Sequence, residues 1–490
     1  MSRLLSLSIL LSLSLCVTAL ADLHDPNNRA DYLILTTSEL IQDNPWITQL
    51  ADWRNQHGRV SMVVPTEDVW AEFGDGSPLD TTLKDFLHYA RRNWQAPQLR
   101  DVFIVGFHDV VPSHVEPDSY RVHYPDSTYY LHITYLTDLF YATDPESTNH
   151  IPVLAIGRLP WSPTQSPSLW DYFAKVVAYE TADTAAWQTR VHLIADYDDA
   201  FFSFWEDFCE PLAQLVPEDW IIERDYPDFE EGHPWHGDRE EILENLQSGS
   251  YLVAYMGHGT GNIWSHRLAL EPPDFVSLTN GNRLPIITTT TIYDIYDSGV
   301  GGIPATLLAN PNGGAIAYFG CSWNVWVSAG RSFRLILVEH ATSDSVETLG
   351  ELWRQTEEEF IQQYGISGES YRHTAFTCLL LGDPGLRLPE RVSAVSSDIP
   401  TIPADMCLEG NYPNPFNSAT TITFRLSHAT KISLKIYDVL GREVATLYDG
   451  FHAAGSHTVS WDATGAPSGL YFCRMEAPGF AQTRKMLLIK

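Results

Sequence analysis

The stretch SYLVAYMGHGTG, residues 250–261, runs unbroken through apolar residues and stops at a histidine held between two glycines. A continuous apolar run bounded by glycine reads as a strand buried on both faces. His258 then stands at the carboxyl end of that strand, where open α/β sheets bind their ligands.

Other runs of the same kind surround it: DYLILTT (31–37), RVSMVVP (59–65), DVFIVGF (101–107), IPVLAIGRLP (151–160), RVHLIAD (190–196), LPIITTTT (284–291) and GGAIAYFG (313–320). Between them TTLKDFLHYARRN (81–93), SLWDYFAKVVAYE (168–180) and DREEILENLQSG (238–249) place apolar residues near helical spacing. Apolar strands separated by amphipathic helices predict a mainly parallel sheet covered on both faces, an α/β architecture. Residues 22–390 form this region, with a subdomain break near 181–187.

The chain changes character twice. MSRLLSLSILLSLSLCVTALAD begins with Arg3, a Leu/Ser stretch and Ala19-Leu20-Ala21, the pattern of a cleaved signal peptide over 1–21. A lipoprotein reading at Cys16 has bulky Leu15 where a small residue is expected. Residues 391–406 are rich in Pro, Ser and Ala without periodicity and read as a linker. From 407 to 490 the strands TTITFRL, KISLKIYD, SHTVSWD and GLYFCRME are short and separated by turns, which predicts a small all-β sandwich.

Of 490 residues, 44% are hydrophobic and 12% aromatic, enough for large cores. The formal charge is −32, and residues 405–490 carry 8 basic against 7 acidic side chains, so the acidity lies before them. Such a field repels nucleic acid and anionic lipid, and no segment has the apolar length of a membrane span. The six cysteines, Cys16, Cys209, Cys321, Cys378, Cys407 and Cys473, are scattered, with neither a disulfide framework nor zinc spacing.

The segments NYPNPFNSATTITFRL, IYDVLGREVATL, AAGSHTVSWD, SGLYFCRM and TRKMLLIK resemble the C-terminal sorting domain of type IX secretion cargo, an immunoglobulin-like sandwich. The resemblance implies that residues 407–490 engage the type IX machinery of a Gram-negative-type bacterium, leaving the protein secreted or on the outer-membrane surface. Upstream, DVFIVGFHDVVP, TDLFYATD, IGRLPW, KVVAYE, GHGTGNIW, LPIITTTT, NPNGGAIAYFG and LLLGDPGLRLP resemble the gingipain family of caspase-like cysteine peptidases, in matching order. That resemblance implies a caspase-like αβα sandwich, a peptide or protein substrate, and His258 as general base beside a cysteine ending the next strand.

The sequence departs from the family at that cysteine. Ile292 occupies the expected nucleophile position, and no cysteine lies between His258 and Cys321. Attack on a peptide carbonyl needs an activated thiol or hydroxyl within reach of the base. Cys321, ending the strand after next, is the alternative nucleophile; it starts roughly 10 Å from the histidine, two strand spacings away. Thr290 and Thr291 carry hydroxyls but no strong base of their own. The other reading of His258 is a turn residue bonded to backbone.

Gly257, Gly259, Trp264 and Trp323 are expected to line a substrate groove. Asp196, Asp198 and Asp199 offer clustered oxygen ligands to calcium, the one cofactor the sequence suggests, or else form a solvated acidic loop. Asp138 matches an acidic position that the family keeps near its cleft, where it would shape the pocket, bind calcium or cap a turn. Two functions remain open: a peptidase fold that has lost its nucleophile and binds peptide or protein, or an active cysteine endopeptidase using Cys321 or a rearranged loop with His258.

Overall fold

The computed structural model describes residues 22–162, 172–198, 205–229, 233, 235–289, 302–389 and 407–489, less 125–126, 184, 344, 413, 415, 427–429, 440, 453–454 and 478–479. The leader 1–21, the linker 391–406, Asp199, Thr290, Thr291 and Ile292 lie outside the described residues.

The strands of the first half are β1 (Tyr32–Thr36), β2 (Ser61–Pro65), β3 (Asp101–Val105), the hairpin β4 (His114–Tyr124) and β5 (Ser127–Thr137), and β6 (Ala155–Leu159). Those of the second are β7 (Arg190–Ala195), β8 (Ile221–Asp225), β9 (Leu252–Met256), the short hairpin β10 (Gly259–Thr260) and β11 (Ile263–Trp264), β12 (Ile286–Thr289) and β13 (Ala317–Cys321). A last strand, β14 (Cys378–Leu381), follows three helices.

Ten of these form one sheet in the order β2-β1-β3-β6-β14-β13-β12-β9-β7-β8. Pairing is parallel from β2 to β6 and from β13 to β8. Only β14 runs antiparallel to β13, and it touches β6 at Leu381 opposite Arg158. The sequence expectation of a large, mainly parallel sheet is met, and every residue of β1, β3, β6 and β9 is buried. Burial on both faces is why these strands carry no polar alternation.

The helices obey the spacing read from the sequence. Leu79–Asn93 turns Leu83, Phe86, Leu87 and Ala90 inward and ends on Arg91 and Arg92, which suit its negative C-terminus. Arg239–Ser248 starts on a capping box, with the Asp238 carboxylate accepting N–H bonds from Glu240 and Glu241 and Glu241 bonding back to Asp238. It stops at Gly249, at φ 84°, where a Cβ would meet Arg283 Cβ at 2.4 Å. That stop aims the chain into β9.

Residues 407–489 form two antiparallel sheets, Cys407–Tyr412, Ala419–Leu426 and Gly455–Asp462 in one, and Glu443–His452, Thr430–Asp438, Gly469–Ala477 and Phe480–Leu488 in the other. Their core, with Leu408, Phe424, Leu434, Trp461, Met475 and Met486, is separate from that of the α/β region.

One core histidine makes the fold sensitive to acid. His88 is buried on its helix, with Nε2 donating to the Tyr141 carbonyl at 3.0 Å and Nδ1 unpartnered. Burial lowers its pKa from 6.5 to about 4. The unfolded chain therefore binds a proton between these values that the folded chain refuses, so this group's share of stability is lost as pH falls from 6.5 towards 4. The steepest slope it adds is roughly 1.4 kcal/mol per pH unit. Denaturant titrations at several pH values should show this slope reduced in His88→Gln; equal slopes in both proteins would contradict the assignment.

Candidate functional site

β9 delivers its chain end into a set of backbone constraints. At Gly257 a Cβ would lie 2.3 Å from Asp196 Cβ and 2.6 Å from the Tyr255 hydroxyl, so only glycine fits. Asp196, the residue after β7, is buried and uses both carboxylate oxygens. Oδ2 accepts the His258 N–H at 2.9 Å and Oδ1 accepts the Tyr197 N–H at 2.7 Å. The His258 carbonyl in turn accepts from the Tyr255 hydroxyl at 2.6 Å and from the Ser265 N–H at 2.9 Å.

The loop then folds into the β10–β11 hairpin, in which Gly259 faces Trp264. His258 itself is half-buried, and its ring meets Trp205 edge to face at 5.0 Å between centroids. An imidazole fixed in this way at a strand end can accept a proton from a group brought to it.

β12 is the strand next to β9, with Thr289 opposite Tyr255. Tyr255 is three residues before His258, and Thr289 three before Ile292, where the family resemblance expects the nucleophile. Thr289 is the last described residue of that strand, so the nucleophile position and the hydroxyls of Thr290 and Thr291 fall beyond it.

Cys321 ends β13, with β12 between it and β9. Its side chain is wholly enclosed, 3.3 Å from the Cys378 sulfur. Burial pushes its thiol well above the ordinary range. In this arrangement the Cys321 thiol is enclosed and stands two strands from the strand that leads to His258.

The aromatic residues divide. Trp264 has no exposed surface: it stacks on Tyr255 at 4.8 Å and meets Phe275 edge to face, fastening the hairpin to the core. It therefore does not wall a groove, contrary to the sequence expectation. Trp323 is half-buried against the core, whereas Trp326, which the sequence reading passed over, is 48% exposed just beyond β13.

Asp196 and Asp138 have partners within the fold. Asp196 is an anchor for His258, and the Asp198 N–H is held by Asp228. Both oxygens of Asp138 clasp buried Arg158, at 2.8 and 2.7 Å, while Arg158 also donates to the carbonyls of Gly106 and Val111. Asp138 is thereby held in a bidentate pair. Among the described residues, two other groups have metal-ligand spacing, Asp22, His24, Glu72 and His236, Asp238, Glu241. In the second, Asp238 and Glu241 already form the helix cap.

The model of peptidase family C25 matches residues 25–389, and that of the secretion system C-terminal sorting domain matches residues 411–490. No curated relative matches the chain. Among solved structures, the complex of Porphyromonas gingivalis RgpB pro- and mature domains aligns with a TM-score of 0.56 at 15% identity, covering 94% of this chain and all of that one. The Arg-specific cysteine proteinase gingipain R aligns with a TM-score of 0.55 at 16% identity, covering 95% of this chain and 98% of that one. At these identities the likeness is one of fold, the caspase-like α/β architecture.

Removing the anchor should loosen the histidine loop. Asp196→Ala leaves the buried His258 N–H without its acceptor and is expected to cost about 1–3 kcal/mol, with Asp196→Asn costing less because its amide oxygen still accepts. Urea unfolding measures both. Equal stability of Asp196→Ala and the parent would show that the carboxylate is not the anchor.

Proposed function

We propose, since the chain belongs to peptidase family C25 and carries a secretion sorting domain, that it is an exported family member whose site binds peptide without cleaving it. Export to the surface or the exterior follows from the sorting domain, which implies type IX secretion. The leader ending at Ala19-Leu20-Ala21 would be cleaved on the way.

One observation carries the loss of catalysis. The α/β region, residues 22–389, contains three cysteines, Cys209, Cys321 and Cys378, and all three are buried. Burial raises the thiols of Cys209 and Cys321 well above the ordinary range. Cys378 lies against Cys321 inside the sheet. A cysteine peptidase needs an accessible thiolate beside its base, and none of these qualifies. Ile292, at the position where the family resemblance expects cysteine, supplies no attacking atom.

The retained parts favour binding. His258 is held at its strand end by Asp196, Tyr255 and Ser265, half-buried beside the wall of Trp205. Exposed Trp326, beyond the end of β13, offers an apolar surface on which a peptide side chain can pack.

A fluorogenic peptide library incubated with the full chain, with and without a thiol alkylator, tests the reading. No turnover above buffer is expected from the parent protein or from Cys321→Ala, and Ile292→Cys is expected to gain alkylator-sensitive hydrolysis. Turnover by the parent that disappears on alkylation and in Cys321→Ala would establish a working peptidase with a displaced nucleophile.

A further inference from the structure

β13 and β14 meet where the two parallel parts of the sheet join, and their register sets Cys321 directly opposite Cys378. The two sulfurs are 3.3 Å apart. Directly opposed residues of an antiparallel pair have Cα atoms about 4.5–5.5 Å apart, within the span of about 4.4–6.8 Å that a disulfide bridges. Closing the bond to about 2.05 Å needs roughly 1.3 Å of approach.

A third group touches both sulfurs. Arg334, from the helix Val327–Thr342, reaches Cys321 Sγ with Nη2 at 3.6 Å and Cys378 Sγ with Nη1 at 3.8 Å. The same Nη2 donates to the Thr289 carbonyl at the end of β12. All of these side chains are buried.

A guanidinium against two thiols favours one thiolate between them. The contacts from Cys321 and Arg334 lower the Cys378 thiol although burial opposes them, while Cys321 is raised and keeps its proton. Glu357 opposes this by raising the Cys378 thiol, while burial raises its own carboxyl well above the ordinary carboxylate range. The cation disfavours a metal ion at the same sulfurs.

We propose that Cys321 and Cys378 are a reversible redox pair that closes to a cross-strand disulfide through exchange with a small disulfide oxidant, and that Arg334 sets how easily the bond is reduced. The Cys378 thiolate attacks one oxidant sulfur, forming a mixed disulfide and releasing the other half as a thiolate. Cys321 then loses its proton, and its sulfur displaces the remaining half. Two protein thiols become one disulfide, while the oxidant disulfide takes the electron pair and leaves as two thiols carrying both protons.

An exported chain meets an oxidising compartment, where such exchange proceeds. Burial restricts the exchange to moments when the seam is open, as during folding. Arg334 stabilises the reduced pair, so the bond forms with a higher, more readily reduced potential than a purely structural disulfide. Because the same guanidinium holds the Thr289 carbonyl, the state of the pair bears on the strand end beside His258.

The test uses the full chain, unfolded and refolded in glutathione buffers of graded ratio, then acid-quenched, alkylated in denaturant and mapped by peptide mass. A linked Cys321–Cys378 peptide pair is expected at oxidising ratios, with Cys209, Cys407 and Cys473 alkylated. Alkylation of both Cys321 and Cys378 at every ratio would overturn the proposal. Arg334→Met is expected to shift the oxidation equilibrium about tenfold towards the disulfide, the equivalent of one unit of thiol pKa, with Arg334→Lys close to the parent. An unchanged equilibrium in Arg334→Met would overturn the part given to Arg334. Should that variant fail to fold, the parent's peptide map decides whether the pair exists and Arg334→Lys whether charge controls it, since a lysine equilibrium displaced about tenfold towards the disulfide would overturn control by charge.

Discussion

Everything in the α/β region depends on β14 reaching the middle of the sheet. Its four residues come after all the other strands of that sheet, yet they lie between β6 and β13, so neither parallel group has its inner neighbour until the α/β region has nearly finished. The turn that follows secures the insertion. The Asp383 carboxylate accepts from Tyr32 at 2.8 Å and from Arg54 at 2.5 Å, and Arg54 also holds Glu180 at 2.6 Å. These groups are buried, and removing one partner would leave another charge uncompensated, so the turn, the first strand and two helices stand together. The Tyr32 and Asp383 partners are 351 residues apart, a closure that local structure alone cannot supply.

The same logic of distant partners governs the histidine loop. Asp196 reaches it from β7 across 62 residues of sequence. Close approach of Asp196 to Gly257 excludes any Cβ there, and the two bonds to the His258 carbonyl close the loop from the other side. Nothing in this arrangement requires a reaction. It is a rigid strand end of the kind on which α/β folds build sites, and the chemistry depends on what the neighbouring strand brings to it.

Much of the frame was legible because burial on both faces writes itself as unbroken apolar runs, as in YLILT, DVFIV and LVAYM. The edge strand IIERD turns charged after Ile222, with Asp225 buried, and the β4–β5 hairpin stands outside the main sheet; neither has such a run, so neither reads as a strand in the sequence. At the site, the position of His258 could be read from its glycines, but the direction of nearby side chains could not. Trp264 follows the histidine by six residues and still turns into the core, because Tyr255 and Phe275 receive it. The partners of Asp138 and Asp196, Arg158 and the His258 N–H, are not legible in the sequence because they lie 20 and 62 residues away. The pairing of Cys321 with Cys378 is hidden for the same reason, since only strand register brings scattered cysteines together.

These constraints separate the two halves of His258. Its backbone is a structural element, held by an aspartate, a tyrosine and a serine N–H, and those bonds do not use the imidazole. Its ring meets Trp205 edge to face. Replacing the side chain thus leaves these backbone hydrogen bonds in place, the reverse of replacing Gly257 or Asp196. The mount belongs to the fold: the glycine at 257, the Asp196 carboxylate and the Tyr255 hydroxyl set this strand end through backbone atoms, whatever side chain stands at 258.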